Sequence, residues 1–142
     1  MTSREVFVDT SGLYALVDRK DAHHPAARTL VERLLRGGRR FVATDYVLAE
    51  TVNLANVRSG TRIAVRVLDL IEQSAGIRIE WIGTSRFDST KAFFREHADH
   101  PYSFTDSTSF VMMRELKLSQ ALTTDHHFSQ AGLDALLLTA SQ

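Results

Sequence analysis

The chain is 142 residues long, 44% hydrophobic and 24% charged, which suits one folded domain spanning 1–142 with a core of its own. It has no cysteine, which excludes disulfides and thiolate metal sites. No apolar run approaches the ~20 residues of a membrane span. Seventeen basic residues balance seventeen acidic ones, so bulk charge does not drive binding to nucleic acid.

The amino-terminal "MTSREVFVD" lacks the basic start and long apolar stretch of a signal peptide, and a bacterial-type cytoplasmic location is expected. "EVFVDTS" predicts a short buried strand, Val6–Val8, ending at Asp9, and residues 10–18 begin a helix. "HHPAARTLVERLLRGG" predicts a second helix with Pro25 early, an apolar stripe through Ala26, Leu30 and Leu34, and Gly37–Gly38 as its stop. "FVAT" (41–44) reads as a second strand. "DYVLAETVNLANV" follows as a helix with Val47, Leu48, Val52, Leu54 and Ala55 inward. Gly60 breaks the chain before "TRIAVRVLDLIEQS", whose inward face is Ile63, Val67, Leu70 and Ile71. "IRIEWI" (77–82) alternates like a strand, and "SRFDSTKAFFREHA" is a helix closed by His100–Pro101. After "SFTDSTSFVMM" comes a helix through Leu116, then a strand "ALTT" (121–124) and a last strand "ALLLT" (135–139). Strands alternating with helices predict an α/β domain with a mainly parallel sheet.

In such sheets ligands bind beyond the C-terminal ends of the strands. Asp9 and Asp125 fall there, Asp106 falls at a helix start, and Glu50 lies about one and a half turns into the helix after "FVAT". Four carboxylates from four segments can therefore converge. Converging carboxylates repel unless a cation joins them, and Mg²⁺ with its preference for oxygen ligands and substrate phosphates is the usual one. Each aspartate also has a plainer explanation as a helix N-cap. Zinc is disfavoured, since neither a Cys/His spacing nor H-E-x-x-H is present, and surface or loop positions account for the six histidines. Residues 28–66 hold eight arginines against three acids, a net +5 that makes a phosphate-facing side plausible.

"VFVDTSGLYALVDRKDAHH", "ATDYVLAETVNL" and "SFTDSTSFVMMRELKLSQALTTDHHF" resemble, in that order, the motifs of PIN-domain ribonucleases, in particular VapC-type toxins of toxin–antitoxin pairs. The resemblance runs from residue 6 to about residue 139. It implies a three-layer α/β/α sandwich and a Mg²⁺- or Mn²⁺-dependent endoribonuclease acting on RNA. Asp9, Glu50 and Asp106 would fill the three most constant acidic places and Asp125 the more variable fourth. Thr10, Ser11 and Thr105 would sit beside the acids, and Asn53 one helical turn beyond Glu50. The resemblance also implies a homodimer silenced by an antitoxin peptide lying across the helical face. A PIN-like binding module without turnover and a housekeeping ribonuclease of the same fold remain alternatives. A dehalogenase-type phosphatase needs a second Asp where "DTS" has Ser11, and a receiver domain needs a lysine after a late strand, where none of Lys20, Lys91 and Lys117 is placed.

Overall fold

In the computed structural model, which describes residues 4–140, one five-stranded sheet runs through the molecule in the order β3-β2-β1-β4-β5, with every pair parallel. The strands are β1 (Glu5–Val8), β2 (Arg40–Thr44), β3 (Ile77–Glu80), β4 (Gln120–Leu122) and β5 (Asp134–Ala135). Around them lie α1 (Thr10–Val17), α2 (His24–Arg36), α3 (Asp45–Ser59), α4 (Thr61–Gln73), α5 (Gly83–Glu96), α6 (Phe104–Glu115), α7 (His126–Gln130) and α8 (Leu136–Ala140). Val6, Phe7, Val8, Val42 and Ala43 are wholly buried, as both faces of the central strands are covered by helices. This is the expected α/β/α sandwich.

Helices α1, α2, α3 and α4 pack among themselves, while α5 packs on α6. The sheet grows outward from β1 through β2 to β3, then resumes on the other side of β1 with β4. The order therefore reverses between β1 and β4, where open α/β sheets leave a crevice at their C-terminal ends. Two glycines shape this frame. Gly12 lets α1 lie against β4, because a Cβ there would overlap the Leu122 carbonyl. Gly60, at φ 93°, turns the chain from α3 into α4.

The last predicted strand is corrected. Only Asp134–Ala135 pairs with β4, and Leu136–Ala140 turn into a helix that buries Leu137. The strand expected at 121–124 ends at Leu122, so Thr123 and Thr124 stand in the loop above it. Strand β3 stops at Glu80; Ile82 donates its N–H to Asp45 Oδ1 at 2.8 Å, and Trp81 is left 70% exposed. Among the described residues no helix is long and apolar enough to cross a membrane.

Candidate active site

Asp9 follows β1 directly and is 4% exposed. It holds the N-cap position of α1, yet its side chain makes no cap bond. Instead Oδ2 accepts from Thr123 Oγ1 at 2.8 Å and from Ser11 Oγ at 3.1 Å. The chain beyond β4 fixes both hydroxyls: Asp125 N–H donates to Thr123 Oγ1 at 3.0 Å, and Thr124 N–H to Ser11 Oγ at 2.9 Å. The carboxylate at the end of one central strand is thus tied to the loop above its neighbour. Burial pushes its carboxyl up to about 6; the Thr123 hydroxyl and the Thr10 N–H oppose the rise, and the Asp106 charge adds to it.

Asp106 is the third residue of α6 rather than its cap, which corrects one sequence expectation. Ser103 is the N-cap: its Oγ accepts the Asp106 N–H at 2.9 Å, and Asp106 Oδ2 accepts the Ser103 N–H at 3.2 Å. Burial raises the Asp106 carboxyl above its ordinary range, the Ser103 N–H pulls it down, and the Asp125 charge raises it again. The hydroxyls of "SFTDSTS" (103–109) that follow Asp106 turn inward rather than to the groove. Ser107 and Thr108 are buried and donate back to the carbonyls of Ser103 and Thr105.

Asp125 caps α7, its Oδ1 accepting the His127 N–H at 2.9 Å. Glu50 is exposed on α3. All four carboxylates line one groove of about 390 Å³, together with Thr10, Ser11, Tyr14, His23 and Arg58. Thr105 and Asn53 instead line a neighbouring cleft that shares Glu50 with this groove. Asp106, Asp125 and His127 present atoms all within 4.8 Å of one another, the one such group among the described residues, and Asp9 and Glu50 stand outside that trio.

Sequence reasoning missed Thr123, Tyr14, Asp21 and His127, the last three of which line the groove or touch its acids. The histidine is the largest correction, because it is no plain loop residue: Nδ1 lies 3.2 Å from Asp106 Oδ2 and 3.4 Å from Asp125 Oδ1. A signal existed in "TTDHHF", since an Asp cap puts the second residue of its helix beside the cap's own carboxylate. Tyr14 is held by Asp18, whose Oδ2 accepts from Tyr14 at 2.7 Å and from Ser59 at 2.6 Å. Those two hydroxyls, Ser59 foremost, hold the Asp18 carboxyl below its ordinary range. Of the eight arginines in 28–66 only Arg58 lines the groove. Arg39 and Arg40 sit at the start of β2, at the opposite end of the sheet, so that segment does not form one phosphate-facing side.

Among the described residues no Lys or Arg pairs with any of the four acids. Thr10 lines the groove, and its buried hydroxyl has no hydrogen-bond partner. Uncompensated carboxylates lining one space, with an orphaned oxygen on a residue of that lining, fit a hard divalent cation.

The PIN domain family model matches residues 6–133. The chain belongs to the PIN-domain family. Relatives of this PIN chain include the 23S rRNA-specific endonuclease VapC20 from two strains of Mycobacterium tuberculosis. Each is 36% identical over 128 residues, 89% of this chain and 94% of the relative. The crystal structure of M. tuberculosis VapC20, a Sarcin-Ricin loop cleaving toxin, matches with a TM-score of 0.79 at 32% identity. That match covers 90% of the PIN chain and 95% of VapC20.

Proposed function

We propose that this PIN-domain protein is a metal-dependent endoribonuclease and the toxin of a toxin–antitoxin pair, acting as one domain. The observation that carries the reading is the convergence of Asp9, Glu50, Asp106 and Asp125 on one groove at the reversal point of the sheet. Asp9, Asp106 and Asp125 would hold Mg²⁺ or Mn²⁺, with Glu50 at the exposed rim. A bound divalent cation supplies a water of lowered pKa and offsets the charge that grows on the phosphate.

The chain's own residues do the positioning. Thr123 and Ser11 fix one Asp9 oxygen, and the Ser103 capping box fixes one oxygen of Asp106. Glu50 is not buried and orients the attacking water by accepting its hydrogen bond. Arg58, whose guanidinium carbon lies 5.8 Å from the centre of the Tyr14 ring, grips a phosphate flanking the scissile bond.

By analogy with VapC20 the first RNA to test is 23S rRNA with its sarcin–ricin loop. In the cell this toxin would act in the cytoplasm as a homodimer and be silenced by an antitoxin. The exposed Val57, Val65 and Leu68 on α3 and α4 offer apolar area to such partners. Purified protein should cleave the rRNA fragment with Mg²⁺ or Mn²⁺ and not with EDTA, and Asp9→Asn and Asp106→Asn should abolish cutting while staying folded. Equal cutting by all three proteins would sink the assignment.

A further inference from the structure

Among the described residues His127 is the side chain that sets a nitrogen beside both the Asp106 and the Asp125 carboxylates, and it lies outside the groove lining that the two acids share. Its ring sits behind them, edge-on to Tyr102 at 5.7 Å between centres. Both neighbours of Nδ1 are carboxylate oxygens, so Nδ1 carries the proton and donates. Asp106 Oδ2 thereby accepts from both the Ser103 N–H and the imidazole, while Oδ1 has no protein donor among the described residues. Asp125 repeats the pattern: Oδ1 accepts the His127 N–H and faces Nδ1, and Oδ2 has no protein donor among the described residues.

We propose that His127 is a positioning residue that clamps one oxygen of Asp106, and through its own N–H one of Asp125, from behind, so that the other oxygen of each is presented to a cation in the groove. Thr10, in the lining of that groove, carries a buried hydroxyl without a protein partner, a second observation that a ligand group belongs there. The inference rests on the cation-binding part of the function proposed above. Two like charges side by side would otherwise turn apart; two donors of one residue, the imidazole on Asp106 and the backbone N–H on Asp125, remove that freedom. Groups that orient metal-binding carboxylates in this way change affinity or activity 10–100-fold when removed. The competing role is direct nitrogen ligation, which would favour Mn²⁺ over Mg²⁺ because imidazole suits the transition metal.

Isothermal titrations of Mn²⁺ and of Mg²⁺ into wild type, His127→Ala, His127→Asn and His127→Gln separate these roles. The Asn amide nitrogen stands as many bonds from Cα as Nδ1 does, whereas that of Gln reaches the place of Nε2. Asn and Ala both lack the ring against Tyr102, so only the donor differs between them. His127→Ala and His127→Gln should lose affinity for both ions by the same factor, and His127→Asn should recover most of it. In RNA cleavage the loss should fall on kcat, with KM unchanged. Wild-type affinity in His127→Ala, an Asn variant as weak as the Ala variant, or a loss confined to Mn²⁺ would each overturn the proposal. Ion binding without RNA cleavage would overturn the nuclease reading alone, and absence of ion binding in wild type would overturn both.

Discussion

Asp9 is where burial and charge oppose each other most strongly. Its carboxyl titrates at about 6 in the folded chain against the ordinary 3.8 of an aspartate, so between those values the folded state binds more protons than the unfolded. Stability therefore falls as pH rises through that window, and the whole cost, roughly 3 kcal/mol, is in place once both forms are ionised. Asp9→Asn keeps an oxygen for Thr123 and Ser11 but removes the charge. Without metal, the variant should melt several degrees above wild type at neutral pH and show no such advantage near pH 4. Scanning calorimetry at the two pH values checks this; equal melting at neutral pH would mean the buried charge costs nothing. Arg58 makes the complementary case, a cation that touches none of the acids. Arg58→Ala should raise KM for RNA, leave kcat nearly unchanged, and lower the salt dependence of binding by about one charge. A fall in kcat alone would place Arg58 in the chemistry instead.

At the scale of elements, α1 carries Asp9 and must lie against β4, whose following loop supplies Thr123. Gly12→Ala pushes a methyl group into the Leu122 carbonyl, which α1 relieves only by moving away from β4. A loss of about 3 kcal/mol is expected, visible as a lower thermal midpoint, with cleavage reduced through displacement of Asp9. A midpoint equal to wild type would mean that α1 shifts at no cost. What the sequence made legible follows the same physics. "VFV" and "FVAT" read as strands because both faces are covered, and a strand buried on both sides is apolar throughout. Asp9 was legible because it comes directly after such a strand, and Asp125 because it ends the short loop that follows β4. The segment "ALLLT" was not, because a short apolar run has the same burial whether it extends or coils. Pairing with β4 runs out after Ala135, and Leu137 then packs inward as a helical residue. Ser103 and Asp106 are both good capping types three residues apart, and only the geometry decides which one caps. The role of His127 depended on which way one ring turns at the start of α7, which no pattern records.

For the molecule as a whole, the even balance of charge conceals an uneven layout. Five acids, Asp9, Asp21, Glu50, Asp106 and Asp125, line one groove with Arg58 as the single arginine beside them, while Arg39 and Arg40 stand at the far end of the sheet. Linear charge says that phosphate could be gripped, but not which arginine meets the site. This layout makes the fold itself a reporter of cation binding. A ligand that binds only the folded state adds RT ln(1 + [L]/Kd), about 2.7 kcal/mol when it stands at 100 times its Kd. Mn²⁺ or Mg²⁺ should therefore raise the thermal midpoint of wild type by several degrees at neutral pH, and EDTA should reverse the gain. The gain should shrink towards pH 4, because a protonated Asp9 no longer attracts the ion. Asp9→Asn starts from a higher metal-free midpoint and should gain little from either ion. Melting curves of the two proteins, with and without metal at both pH values, thus share one origin in the buried carboxylate. If wild type and Asp9→Asn gain equally from metal, the ion binds elsewhere, and the melting behaviour of Asp9 reflects burial alone.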